Sequence, residues 1–531
     1  MLQKLLKKNL FKILKSNILL DKNEKAYILH NKKVWKKNQK VEKSIVLIDL
    51  FNWYPLIHFW SYLTNIIAAK NNSSVKYYYF KARTKNHIGS KYSISKLEKI
   101  YKSFNAFKGI TSYDFKYSSK ELKKYNNDFI KVKNNSTKLS NYKLENIKIG
   151  DLIYDTYLFT TRKSKLDFED PILKDIFFQA QKIFFSLKEY FKKNKITCVI
   201  PSHTCYVSYG IITRIALKSN IPVIKIKCEN WANAFFRLLK IDKKAMVDEQ
   251  PYYNYSKVFK RFSNKEQNLA IEVGKNILDQ RISGNYDKNL PYMKISQFNK
   301  NKKKLLFKNK KNKPKVFIFP HCFYDNPHRY QSMVFNDFYE QIDYLLNLSN
   351  KITKYDWFYK PHPNELLGKL NIHNEFMKKY PNVTYLAKDI SHRQILELKP
   401  KCVVTNHGTI GHEYANFKVP VINTGDNPHI NYQFCLHAKN KSNLEDIFLN
   451  LDKYIKKINF DKKKIYEYLF LHYDYFPNRF NKCNLLRDDY FASKNIKLNA
   501  KSKILKMYIK DHKHNDKNIK EYIKNFIYKN L

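Results

Sequence analysis

The chain has 531 residues, with 100 Lys and Arg against 46 Asp and Glu, a formal net charge of +54, and 43% hydrophobic and 16% aromatic residues. That length gives roughly two to four domains with room for two sizeable cores, and the apolar content excludes a disordered chain. An AT-rich coding bias accounts for part of the lysine, and so large an excess of base also points to a polyanionic partner: nucleic acid, an anionic membrane face or an acidic glycan. The lysines are spread along the chain instead of gathered in one reading element, which weighs against a dedicated nucleic-acid domain.

Seven cysteines, at 198, 205, 228, 322, 402, 435 and 483, form no CxxC pair and are odd in number. They suit neither a disulfide framework nor a zinc site, and a reducing cytoplasm is expected. No run of about 18 apolar residues is present, so no bilayer-spanning helix is expected.

In chain order, residues 1–40 begin as a basic amphipathic segment with Leu2, Leu5, Leu6, Phe11, Ile13 and Leu14 among its apolar positions. It lacks a signal-peptide cleavage site. Two readings stay open: a helix lying on the anionic inner membrane, or a helix packing on its own domain. The expected location is cytoplasmic and peripheral to that membrane.

Residues 41–282 are expected to form a first Rossmann-like domain. The apolar run 44–49 reads as a buried strand, 56–69 as a helix and 75–81 as the next strand, while 85–165 is lysine- and tyrosine-rich and yields no clear pattern. A long helix over 171–192 then leads to a strand at 197–200, the loop Pro201-Ser202-His203-Thr204-Cys205, a helix over 206–218 and a strand at 221–226, a βαβ unit of parallel-sheet type. Residues 283–313 are charged and polar and read as an interdomain linker.

Residues 314–440 are expected to form a second Rossmann-like domain. Strands at 316–319, 357–359, 383–386, 402–405 and 419–422 alternate with helices at 335–349, 371–380, 392–398 (capped by Ser391) and 410–417. Residues 441–531 read as a basic helical segment. The fold class is therefore α/β: two Rossmann-like domains facing an interdomain cleft, with helical termini.

The chemistry concentrates where strands end. In the turn Thr405-Asn406-His407-Gly408-Thr409-Ile410-Gly411, a strand meets a helix. Gly408 is read as permitting a positive φ or a close ligand approach, and the N–H groups of the helix start, with the Thr409 hydroxyl, as donors to a phosphate. Glu413 is placed to accept from a ribose diol, or to stabilise the helix dipole. In Lys360-Pro361-His362-Pro363 two prolines hold the imidazole beside a lysine, a rigid cationic clamp for a diphosphate leaving group. The loop from His321 to Arg329 adds His321, Asp325 and His328; its spacing matches no zinc signature, so contact with donor or acceptor is expected and no metal. Asp49, His58, Ser202 and His203 are the acceptor-side candidates, with His203 as a general base. His362, His203 and Asp325 are the catalytic candidates. No Walker A, GxGxxG, GxSxG or HExxH occurs, and no strand ends in DxD.

Tyr359-Lys360-Pro361-His362-Pro363-Asn364-Glu365, followed by Val403-Val404-Thr405-Asn406-His407-Gly408-Thr409-Ile410-Gly411-His412-Glu413-Tyr414-Ala415, resembles the capsule polysaccharide biosynthesis proteins, which include bacterial Kdo transferases. More loosely it resembles bacterial sialyltransferases and CDP-glycerol glycerophosphotransferases. The resemblance covers about residues 314 to 430. It implies a metal-independent GT-B enzyme using a CMP- or CDP-linked donor, with His362 at the donor phosphate and Glu413 at the ribose. The expected function is transfer of a sugar from a nucleotide-activated donor to a growing surface polysaccharide or glycolipid, without a cofactor. A polyol-phosphate transferase, a nucleic-acid-binding protein and a non-catalytic glycan-binding protein remain as alternatives, although no nucleic-acid partner is expected.

Overall fold

A computed structural model describes residues 20–35, 43–80, 91–112, 115–230, 235–242, 254–284, 296–299, 313–329, 333–362, 372–425, 427–479, 483–484 and 502–531. The amphipathic stretch 1–19, most of the expected linker and Pro363 lie outside the described residues.

The first sheet has four parallel strands, in the order Ala106–Thr111, Ser73–Tyr79, Ser44–Asp49, Ile196–Ile200. Both faces are covered, which is why the strands read as continuous apolar runs. Val46, Ile48, Val75, Tyr77 and Cys198 bury in one core cluster; Ile45, Leu47, Tyr78 and Val199 bury in another. The period of two along each strand divides them. The helix Pro171–Lys193 starts with Asp170 accepting from the N–H of Ile172 and with proline at its first position, and buries Leu173, Ile176, Phe177, Ala180, Ile183, Phe184 and Leu187 on one stripe.

The second sheet has six parallel strands: Thr384–Tyr385, Asp356–Tyr359, Lys315–Ile318, Cys402–Thr405, Val421–Asn423 and Leu436–His437. Numbered within the unit this is the order 3-2-1-4-5-6 of a dinucleotide-binding fold. Phe317, Phe358, Val403 and Val421 face one core cluster, and Val316, Ile318, Trp357, Tyr359, Cys402, Val404 and Ile422 the other. Ser391 caps the helix His392–Glu397 in a capping box with Gln394. The α/β class and the two Rossmann-like units expected from the sequence are present, and the second sheet has a sixth strand that the sequence reading did not include.

Several segments differ from expectation. The tyrosine-rich stretch holds the helix Lys91–Lys102, the strand Ala106–Thr111 and the helices Ser119–Val132 and Gly150–Thr161. The strand expected at 221–226 touches the first sheet in parallel only through Val223 and Val199. It continues as Ile224–Asn230 and pairs antiparallel with Phe235–Lys240, so the expected parallel βαβ unit turns into a hairpin. The helices Tyr255–Phe259 and Asn264–Ile282, grouped with the first unit by sequence order, bury Tyr255, Phe259, Ala270 and Leu278 in the second unit's core. The last helix, Lys503–Asn530, returns to the first unit, where Ile504, Leu505, Tyr508, Ile519, Ile523 and Ile527 join its core. These exchanges follow from apolar stripes finding the nearest uncovered sheet face.

The units meet where the loop after strand Lys315–Ile318 packs on the first unit. Cys322 and Tyr324 sit in a core cluster of the first unit. His328 Nδ1 lies 2.7 Å from Asp155 Oδ1 on the helix Gly150–Thr161, and the Tyr154 hydroxyl from the same helix donates to Asp337. Among the described residues no helix is long and apolar enough to cross a membrane.

Candidate functional site

The second sheet reverses its winding between strands Lys315–Ile318 and Cys402–Thr405. Open α/β sheets bind ligands at that crevice, outside the carboxyl ends of the strands. A cavity of about 170 Å³ lies there. His321 enters it from the loop after the first of these strands and His407, Gly408 and Thr409 from the turn after the second; Lys360 and His362 come from the end of strand Asp356–Tyr359, and Glu413 and Thr405 also line it. The fold thus brings together eight residues from three separate stretches of sequence.

Lys360 is buried, and its Nζ donates to Gln297 Oε1 at 3.0 Å. Burial pulls its pKa down to about 8, partly opposed by Asp389 and Glu413. His362 is half-buried, and its ring stacks on His321 with centroids 5.8 Å apart. Burial, then His321 and Lys360, push its pKa down to about 3. Its imidazole is therefore neutral near pH 7, which corrects the reading of the Lys-Pro-His-Pro element as two cations. Lys360 supplies the charge, and His362 supplies a neutral hydrogen-bonding ring.

The turn is also corrected in detail. Among the described glycines the positive φ belongs to Gly284, so Gly408 does not use the left-handed region. A Cβ at Gly408 would meet Thr405 Oγ1 at 3.0 Å and little else, which leaves its role as close approach to the cavity. Gly411 serves packing: a Cβ there would come within 2.1 Å of the His429 ring. Asn406 is fully buried, donates toward Met333 Sδ at 3.3 Å and does not line the cavity. The helix Ile410–Asn416 is only seven residues long and Thr409 makes no side-chain cap bond, so its dipole is a minor contributor beside the side-chain charge.

Sequence reasoning missed four contributors. Arg281, from the helix Asn264–Ile282, is buried, donates from Nη1 to His412 Nε2 at 2.7 Å and stands 3.8 Å from Glu413 Oε1. Glu413 therefore faces a guanidinium as well as the cavity. Gln297 and Phe298, from the supposed linker, line the cavity, and Gln297 O accepts from the His392 N–H at 2.9 Å. His392 is buried on the same wall, bonded through Nδ1 to the Tyr414 hydroxyl at 2.7 Å. No local pattern marks these residues, because tertiary packing alone carries them to the crevice.

Three candidates lie elsewhere. His58 is a core residue, not a cleft residue: it bonds Tyr27 at 3.0 Å and stacks on Tyr508 at 4.2 Å, and burial pushes its pKa down to about 3. It sits on a helix, Tyr54–Asn71, that is buried almost throughout, which hides the acceptor-side role read for it. Asp325 is half-buried beside Asn326, whose Nδ2 donates to it at 3.3 Å, and does not line the cavity. His328 turns to Asp155 and so is not grouped with His321 and Asp325. Among the described residues no group of three His, Cys, Asp or Glu is arranged to hold a metal ion.

Asp49, Ser202 and His203 are brought together at the first sheet's own switch point, where strands Ser44–Asp49 and Ile196–Ile200 are neighbours. Ser202 Oγ donates to Asp49 Oδ2, and His203 Nδ1 lies 2.9 Å from Ser202 Oγ. Tyr206 closes this loop at φ 64° and ψ 156°, a conformation L-residues rarely hold and one that the loop's packing must enforce.

No family model and no curated protein matches the chain. Among solved structures, a UDP-N-acetylglucosamine 2-epimerase is 9% identical at a TM-score of 0.25, covering 81% of this chain and 95% of its own. KpsC from Thermosulfurimonas dismutans, a beta Kdo 2,4 transferase, is 11% identical at a TM-score of 0.30, covering 54% and 85%. The wall teichoic acid polymerase TagF is 14% identical at a TM-score of 0.20, covering 95% and 98%. Likenesses at these scores assign no activity or ligand; the fold assignment stands on strand order and pairing.

Proposed function

We propose that the protein is a glycosyltransferase of the GT-B kind, moving a sugar from a nucleotide-activated donor, CMP- or CDP-linked, to a surface polysaccharide or glycolipid acceptor. The observation that carries this reading is the cavity at the second sheet's switch point, where Lys360, His362 and His321 converge on the turn His407-Gly408-Thr409. A donor phosphate seated there faces one buried ammonium and several imidazoles. As the glycosyl bond breaks, charge grows on the leaving phosphate oxygen. Lys360 neutralises it and His362 donates to it, both held in place by the sheet edge. Phe298, Phe319 and His392 give the cavity an apolar wall against which a flat ring packs.

The N-terminal unit takes the acceptor in this reading; its own switch-point loop packs on the second unit through the buried Tyr206, beside Asp325 and Asn326. The net charge of +54 suits an acidic glycan and an anionic inner membrane surface. No cofactor enters this scheme; the nucleotide-sugar is a substrate.

Nucleotide release from CMP-, CDP- and UDP-linked sugars and from CDP-glycerol, with and without a glycolipid acceptor, tests the proposal. One donor is expected to turn over, and His362→Ala to slow it by about 10²- to 10³-fold while the protein stays folded. Turnover of CDP-glycerol alone would make the enzyme a polyol-phosphate transferase. Turnover of no donor would count against catalysis of this kind.

A further inference from the structure

We propose that Asp49, Ser202 and His203 form a proton relay that activates the acceptor hydroxyl, with Asp49 as the final proton acceptor; this rests on the transferase reading of the second unit's cavity. The three residues lie in sequence order of depth. Asp49 ends a central strand and is buried, Ser202 is buried beside it, and His203 is half-buried, its ring between Phe51 at 5.5 Å and Tyr209 at 5.2 Å.

The Ser202 hydroxyl gives the relay its direction. Ser202 has one hydroxyl proton, and it goes to Asp49 Oδ2, which as a carboxylate can only accept. In the relay Ser202 Oγ then accepts from His203 Nδ1, 2.9 Å away, so Nδ1 carries the ring proton and Nε2 is the nitrogen that takes the acceptor's proton. When an acceptor O–H gives its proton to Nε2, the Nδ1 proton passes to Ser202 Oγ, and the serine proton passes to Asp49. The acceptor oxygen then forms its bond to the sugar carbon as the donor's bond to phosphate oxygen breaks, the electron pair leaving with the phosphate. One proton enters at Nε2 and one arrives on Asp49, so the relay balances without a further reactant.

The surroundings of Asp49 suit that end point. The titratable groups packed near it are Tyr78, Tyr101 and Tyr209, each held neutral well above the usual phenol range, first by burial and then by Asp49 itself. Burial pushes Asp49 up to about 7, against the hydrogen bonds from Ser202. A carboxyl so placed takes a proton from an imidazole at little cost.

The test reads the tautomer directly. In full-length protein labelled with ¹⁵N-histidine, with His203→Gln used to assign the resonance, His203 at pH 8.5 is expected as the Nδ1–H form. In Asp49→Asn the new amide donates to Ser202, the serine proton turns to Nδ1, and His203 is expected as the Nε2–H form, with no basic Nε2. Transfer is then expected to fall about 10²- to 10⁴-fold, while stabilisation by CDP or CMP at the other unit is kept. Should Asp49→Asn not fold, Ser202→Ala serves in its place and is expected to give mixed tautomers. An Nε2–H form in the wild type, or an unchanged tautomer in both variants, overturns the relay whatever the second unit binds. If neither CDP nor CMP stabilises the wild type, the transferase reading falls, and the relay's acceptor role falls with it.

Discussion

His328 Nδ1 of the second unit lies 2.7 Å from Asp155 Oδ1 of the first, and the contact is buried between the two halves. Burial alone would lower the histidine pKa, but Asp155, with Asp151 and Asp337 nearby, raises it above 6.5. Arg214 engages Asp151 through two bonds of 2.6 and 2.7 Å, and Tyr154 donates to Asp337, so Asp155 is the carboxylate left to His328. A raised histidine pKa stabilises the folded protein fully below 6.5, and that stability is lost as pH rises through the folded value. Thermal unfolding should show His328→Gln costing about 3 kcal/mol at pH 6 and clearly less at pH 9. An equal cost at both pH values would mean the contact carries no charge.

Lys360 gives the cavity its own pH dependence. With a pKa of about 8, its ammonium is lost as pH rises, and an anionic ligand should bind more weakly. Calorimetric titration with CDP is expected to show affinity falling roughly tenfold between pH 7.5 and 9.5, a range above the phosphate's own titration. Lys360→Met should bind weakly throughout and show no such dependence.

Gly408 and Gly411 lie three residues apart in one turn and look alike as motif glycines, yet the geometry separates them. Gly411→Ala drives a methyl into His429 and should destabilise the protein by about 1–3 kcal/mol. Gly408→Ala meets only Thr405 Oγ1 closely, so the melting temperature should move little while nucleotide affinity drops. Matching losses of stability in both would contradict this division.

Much of the second unit was legible because its strands are short apolar runs ending in Pro, His or Asn, and because Ser391 and Asn406–Thr409 mark element ends. The strand Cys402–Thr405 has the bounds the pattern predicts. The first unit was harder. Tyr54–Asn71 is buried on nearly every side, so it has no polar stripe to reveal its period, and His58 reads as a site residue when it is a packing residue. Lys and Tyr crowd residues 85–165, where buried tyrosines such as Tyr101, Tyr125 and Tyr157 alternate with lysines and blur the apolar pattern. Arg281 and Gln297 could not be read locally, because each reaches the cavity through packing between segments far apart in sequence. The Lys-Pro-His-Pro and Asn-His-Gly-Thr elements were legible as neighbours, but not the neutrality of His362, which depends on burial.

The central claim is that one nucleotide phosphate site lies between Lys360-Pro361-His362 and His407-Gly408-Thr409. A thermal-shift panel of CMP, CDP, UDP and GDP on the full-length protein tests it most directly. At a ligand concentration about 100 times Kd, a bound nucleotide should stabilise the protein by about 2.7 kcal/mol, and Lys360→Met and Gly408→Ala should each diminish that shift. No shift with any of the four nucleotides, or a full shift retained in both variants, would contradict the account.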